Sequence, residues 1–114
     1  MLSWSSHASE TRVDLRAIVA GHGEAGVPLS TQLLAFASAA ADVRRSAEEM
    51  EQARDALVAA ADRPTMIDAA AVAANFQMMT RLADGTGAKL APMRLADVAP
   101  MLDVIEASDM TSRR

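Results

Sequence analysis

The chain has 114 residues, enough for one domain of ordinary size, and 51% of them are apolar although only 3% are aromatic. A formal net charge of −4 with scattered basic residues excludes the basic face that nucleic-acid binding requires. The absence of cysteine excludes disulfides, thiolate nucleophiles and cysteine metal sites. Since alanine and methionine supply much of the apolar content, the composition favours helices over strands.

The first predicted helix begins near Ser9–Thr11. Thr11 and Asp14 have the spacing of a capping box, in which a threonine side chain and an acidic side chain three residues later satisfy each other's backbone amides. The helix is predicted to end at Gly21–Gly23, because glycine is the usual residue at helix ends.

The next two predicted helices are both amphipathic. One begins at Ser30, which we assign as its cap, and runs to about Asp42, with Phe36 on its buried stripe. The other begins with the capping box Ser46–Glu49 and buries a stripe that includes Leu57. Glutamates in its first turn also favour the positive end of the helix dipole.

The fourth predicted helix runs from Thr65 to Asp84 without an internal glycine or proline, and Pro64 suits its start. It has two adjacent apolar stripes, the first made of Ile67, Ala71, Ala74, Met78 and Leu82 and the second of Val72, Phe76, Met79 and Ala83. Two such stripes are typical of a helix that is contacted on most sides. We therefore predict a central buried helix at about 65–84.

A last helix is predicted from Asp97 as its cap, with Pro100 in its first turn and a loop before it at 89–94. The whole pattern predicts an all-α fold, a compact bundle of four to five helices. We divide the chain into a flexible arm at 1–8, a single helical domain at 9–107 and a frayed tail at 108–114. Because alanine-rich faces bury little apolar area, we also expect a homo-oligomer.

The segment at 68–87 resembles the late helix of the alkylhydroperoxidase-D-like (carboxymuconolactone decarboxylase) family. There an alanine-rich stretch leads to Asn-Phe and then to Met-x-Arg-x-Ala-Asp and a glycine, as at Asn75-Phe76 and Met79–Gly85 in this chain. The likeness covers roughly residues 28–90. It implies an all-α fold that assembles into dimers, trimers or hexamers.

Redox members of that family use the motif Glu-x-x-Cys-x-x-Cys-x-x-x-His, which this chain lacks. Leu15, Ile18 and His22 keep the spacing of its cysteines and histidine with apolar residues at both cysteine positions. Thiol-dependent peroxidase activity is excluded for this chain, because neither a sulfenate nor a disulfide can form without cysteine.

Two groups of residues are candidates for a site. In the first, His22 would act as a general base and Glu24 would orient it; the alternative is a surface loop at a helix end. The second, a ligand-binding or interface group, consists of Phe36, Asn75, Phe76, Met79, Arg81 and Asp84. Arg81 and Asp84 have the spacing of a helical ion pair, although an arginine could also bind a carboxylate substrate.

Three functions remain open. The first is a non-catalytic oligomeric or partner-binding module. The second is a cysteine-independent enzyme that acts on a small acid or lactone through His22 and Glu24. The third is binding of a small apolar ligand between helices, near Phe36, Phe76 and the methionines.

No cofactor and no metal are expected, because His7 and His22 lack the spacing of a metal site. The amino-terminal residues lack the pattern of a signal peptide and no stretch is apolar enough to span a bilayer, so we expect a cytoplasmic protein without membrane contact.

Overall fold

The computed structural model describes residues 13–89 and 92–106, the side chains of 92, 93 and 95 excepted. Within these ranges the chain forms five helices and no strand, which confirms the all-α prediction. The helices are α1 (Leu15–Ala20), α2 (Ser30–Ala41), α3 (Ala47–Ala60), α4 (Arg63–Thr86) and α5 (Pro92–Val104). The arm at 1–8, the tail at 108–114 and the helix start near Ser9–Thr11 lie outside the described residues.

The short helix α1 is bounded by Asp14 and Gly21. The Asp14 carboxylate accepts a hydrogen bond from the backbone amide of Arg16 at 2.9 Å, and Gly21 ends the helix with φ of 70°. The predicted end is therefore confirmed. The predicted capping box is wrong at Asp14, because this residue has an extended backbone and is itself the N-cap.

A loop joins α1 to α2 and is fastened to the first turn of α2. The prediction that Ser30 caps α2 is wrong, since Leu29 holds the N-cap position with φ of 60°. The buried Ser30 hydroxyl instead accepts a hydrogen bond from the Ala25 amide at 3.0 Å. Serine thus satisfies a buried loop amide rather than a helix end.

The capping box at the start of α3 is confirmed. The Ser46 hydroxyl accepts from the Glu49 amide at 3.1 Å, and a Glu49 carboxylate oxygen accepts from the Ser46 amide at 2.6 Å. This local arrangement fixes the start of α3 and places its stripe against α2 and α4, with which α3 packs.

The core of the subunit is small. Among the described residues, the buried apolar side chains are Ala17, Ala25, Phe36 and Leu57. Leu57 is the only large one of these that is completely buried, and two of the others are alanines. Four such residues remove little apolar area from water, so the hydrophobic stabilisation of the isolated subunit is modest.

Helix α4 extends over Arg63–Thr86, in agreement with the predicted helix, but its predicted burial is wrong. No residue of α4 is buried in the subunit. It packs on α2 and α3 along one side and leaves the opposite side open. Helix α4 is therefore a peripheral element of the subunit rather than its central one.

Helix α5 begins earlier than predicted. It runs through Asp97, the predicted cap, and contains Pro100 in its interior rather than in its first turn. A proline at this depth removes one backbone hydrogen bond from the helix. Pro92 begins the helix, where a missing amide hydrogen has no cost, so the segment at 92–94 is helical and not part of the predicted loop.

Candidate functional site on the outer face of α4

Local interactions fix both ends of α4. The Asp62 carboxylate caps the amino-terminal end by accepting from the Thr65 amide at 2.7 Å. Hydrogen bonds from the Thr65 side chain and backbone lower the pKa of Asp62 below its ordinary value of 3.8. At the other end Gly87 has φ of 68°, and its amide and the Ala88 amide bond back to carbonyls of the last turn.

The inner side of α4 is built from small residues. Ala69, Ala70 and Ala73 are half-buried, as is Met66, where α4 packs on α2 and α3. Alanine lets the helices approach closely but buries little area per residue. The inner side therefore positions α4 mainly through small residues, together with Met66.

Six large apolar residues of α4 lie on the opposite side, and we call them the outer face. It consists of Ile67 (53% exposed), Val72 (56%), Phe76 (56%), Met78 (60%), Met79 (51%) and Leu82 (63%). Together these side chains present on the order of 600 Å² of apolar surface, as large as the largest patch found on typical monomers. Such patches mark interaction surfaces, because leaving them in water is costly.

Polar side chains on α4 mostly bond to the helix itself. The Thr80 hydroxyl donates to the Phe76 carbonyl at 2.9 Å, and the Thr86 hydroxyl donates to the Leu82 carbonyl at 2.7 Å. The Asn75 amide lies 3.6 Å from the Met79 sulfur, a weak contact that leaves most of its hydrogen-bonding capacity free for another partner.

The charged residues of α4 are available to a partner. Arg81 and Asp84 do not form the predicted ion pair; within the described chain neither has a salt bridge, and Asp68 has none either. All three side chains are exposed. The predicted interface residues Asn75, Phe76, Met79, Arg81 and Asp84 thus all lie on an accessible helix.

Phe36 differs from the other predicted interface residues. It is 3% exposed and belongs to the core of the subunit, whereas Phe76 is 56% exposed on α4. One aromatic residue therefore stabilises the subunit, and the other faces outward.

His22 and Glu24 share a loop, but their side chains form no hydrogen bond or ion pair with each other. Both are exposed, and the Glu24 carboxylate is 3.5 Å from the Thr31 hydroxyl, which also donates to the Gly23 carbonyl at 3.2 Å. His22 forms no hydrogen bond or ion pair with any residue of the described ranges. The geometry therefore orients Glu24 toward α2 and leaves the imidazole without an orienting carboxylate.

The spacing of Leu15, Ile18 and His22 does not put these residues on one helix. Helix α1 ends at Ala20, and His22 follows the left-handed Gly21. His7 lies outside the described residues. No cluster of three histidine, aspartate or glutamate side chains suited to a metal ion occurs in 13–89 and 92–106.

The sequence predicts the apolar positions of α4 correctly, but their assignment to the interior of the subunit is wrong. Both predicted stripes lie mainly on the outer face, and the residues that pack on α2 and α3 belong to neither stripe. The row of small residues at Ala69, Ala70 and Ala73 is the signal in the sequence that could have identified the packed side of α4.

Comparison with known proteins yields no relative. No protein-family model matches the chain, and neither a curated protein nor a solved structure gives a significant match. None of the helices in the described ranges has the length and apolar character that crossing a membrane requires.

Proposed function

We propose that this protein is a non-catalytic helical module that works by self-association, with the outer face of α4 as its contact surface. The observation that supports the proposal most is the exposure of six large apolar side chains on one side of one helix. A second copy of the chain would remove this surface from water.

The distribution of large apolar side chains between the core and the surface supports the same proposal. The described part of the subunit completely buries one large side chain, Leu57, yet leaves Leu82 and Met78 at least 60% exposed. A chain that keeps more large apolar residues outside than inside gains much of its stability by burying them against a partner.

A binding role also suits the local chemistry better than catalysis does. A catalytic histidine requires an orienting group and a substrate position within hydrogen-bonding distance. His22 has no orienting group among the described residues, because Glu24 is directed toward Thr31. The outer face of α4, in contrast, needs no reactive group in order to act.

The relationship to the alkylhydroperoxidase-D-like family belongs to this proposal and rests on the motif at Asn75-Phe76 and Arg81-x-x-Asp84. In this chain, Asn75, Phe76 and Arg81 of that motif would serve at a subunit contact on α4 rather than at a redox centre. The chain would be a form that keeps the helices and lacks the thiol chemistry.

Sedimentation velocity over a range of protein concentrations tests the proposal. For a chain of 12.0 kDa we expect a species of at least twice that mass at micromolar concentration, which dissociates on dilution. A protein that sediments as a 12.0 kDa monomer even at high micromolar concentration contradicts self-association.

A further inference from the structure

We infer that the methionine pair Met78 and Met79, on the outer face of α4, is an oxidation site through which a hydroperoxide separates the associated copies of the chain. This inference rests on the proposed self-association and adds a chemical control of the same contact surface. It follows from the exposure of two thioether side chains and from their place among apolar neighbours.

The sulfur of this chain is confined to methionine. The sequence has eight methionines and no cysteine, so no thiol competes with the thioethers for an oxidant. Met50, Met66 and Met101 are half-buried in the subunit, whereas Met78 is 60% exposed and Met79 is 51% exposed. Among the methionine side chains that the structure describes, an oxidant in solution therefore reaches this pair most readily.

The reaction transfers one oxygen atom from the hydroperoxide to sulfur. An S–O bond forms and the O–O bond breaks, while the proton of the transferred oxygen moves to the oxygen that leaves. Sulfur loses two electrons and becomes a sulfoxide, and the hydroperoxide is reduced to an alcohol, or to water if it is hydrogen peroxide. The step requires no further reactant and no catalytic group of the protein.

The product makes the outer face polar at two neighbouring positions. Each sulfoxide replaces the apolar end of a flexible side chain with a polar S–O group. Water hydrates this group in the free subunit, but in the associated protein it would be buried with apolar side chains such as Phe76 and Leu82. Because burial of a polar group without a hydrogen bond is unfavourable, oxidation favours separate subunits.

The Asn75 side chain gives the Met79 sulfoxide a partner on its own helix. Its amide nitrogen lies 3.6 Å from the Met79 sulfur, which is only a weak acceptor. A sulfoxide oxygen on that sulfur is a stronger acceptor, and the same amide can donate to it while α4 keeps its backbone hydrogen bonds. We therefore expect oxidation to act on association and to leave α4 helical.

Association and oxidation oppose each other. A second copy covers the outer face in the associated protein, so a hydroperoxide reaches Met78 and Met79 in dissociated subunits. An oxidised subunit associates less readily, and the population moves toward free subunits by mass action. Reductases that convert methionine sulfoxide back to methionine reverse the change, since they restore the apolar side chain.

Sedimentation velocity before and after treatment with hydrogen peroxide tests the inference. The protein is oxidised at low concentration, mass spectrometry verifies a sulfoxide at Met78 and at Met79, and the peroxide is removed before the protein is concentrated. We expect the dissociation constant to rise about tenfold or more and the helical circular dichroism signal to remain. Methionine sulfoxide reductases for both sulfoxide epimers should restore the original constant.

Three results of this experiment would overturn the inference. The first is an unchanged dissociation constant in protein that carries both sulfoxides. The second is loss of the helical signal, because unfolding rather than loss of the contact would then separate the copies. The third is a constant that does not recover after complete reduction of the sulfoxides.

The matched control is the double variant with Met78→Leu and Met79→Leu, which keeps the outer face apolar at nearly the same volume. It retains the other six methionines and should associate to the same extent before and after peroxide treatment. If peroxide weakens its association as much as that of the unaltered chain, another methionine is responsible and the inference is wrong.

A complementary variant replaces the half-buried Met50, Met66 and Met101 with leucine and keeps the outer pair. Peroxide should still raise its dissociation constant about tenfold or more. Resistance of this variant to peroxide would overturn the inference, also in the case that the double leucine variant at positions 78 and 79 sediments as a monomer from the outset.

The untreated protein distinguishes this inference from the proposed function. If the untreated chain sediments as a monomer, self-association is wrong and the inference falls with it. If the untreated chain associates and the chain with both sulfoxides associates equally well, self-association stands and the inference alone is wrong.

Discussion

Replacing Leu82 with aspartate is expected to dissociate the protein into monomers. Leu82 is the most exposed apolar residue of the outer face, at 63%. In the associated protein the new carboxylate would be buried without a partner in both subunits, and an unpaired charge in an apolar contact is strongly unfavourable. We expect the dissociation constant to rise by about a hundredfold or more, measured by sedimentation equilibrium.

The matched control for this variant is Gln77→Asp. It adds the same charge to the same helix at an exposed position that does not belong to the outer face. The control should associate nearly as the unaltered chain does. If Leu82→Asp and Gln77→Asp weaken association equally, charge alone is responsible and the outer face is not the contact surface.

Truncating Leu57 to alanine is expected to destabilise the subunit itself. Leu57 is 0% exposed and lies where α3 packs on α2 and α4. A buried leucine-to-alanine change costs about 2–5 kcal/mol of unfolding free energy, because it removes apolar contacts and leaves a cavity. In a subunit with so small a core, a loss of this size is a large part of the total stability.

Urea unfolding at a fixed protein concentration measures this effect, since association also contributes to apparent stability. Val43→Ala is the control, because Val43 is 89% exposed and its truncation should change the free energy of unfolding by less than about 0.5 kcal/mol. A loss below about 1 kcal/mol for Leu57→Ala would show that α3 does not hold the core together.

Helix ends with a local signal were predictable from the sequence. The capping box Ser46–Glu49 depends only on residues three apart, and both of its hydrogen bonds form as expected. Gly21 ends α1 for the same reason, because a left-handed backbone is easiest for glycine. The predicted extent of α4 is also close to the observed one, since a long run without internal proline gives few places to stop.

Helix starts at residues that can play more than one hydrogen-bonding role were not predictable in the same way. Serine is a residue type that commonly caps helices. The buried amide of Ala25, five residues earlier, needs an acceptor, however, and donates its hydrogen bond to the Ser30 hydroxyl. Asp97 resembles a cap as well, yet α5 already begins at Pro92. In both cases a residue with several possible hydrogen-bonding roles was assigned the most common one.

The burial of α4 was mistaken for a related reason. Hydrophobic periodicity states which side of a helix is apolar, but it does not state which polypeptide covers that side. The residues Phe76 and Leu82 therefore fit a buried spine and an exposed contact surface equally well. The structure separates the two by showing that α2 and α3 cover only one side.

Self-association through α4 requires that another copy of the chain cover the outer face in solution. Methionine oxidation measures this directly, because peroxide converts accessible methionines to sulfoxides, and Met78 and Met79 both lie on the outer face. With oxidation rates read by mass spectrometry and scaled to the urea-unfolded chain, we predict strong protection of both residues at high protein concentration and loss of protection on dilution. Oxidation of Met78 and Met79 at the unfolded rate at every concentration would contradict coverage of the outer face by a second copy.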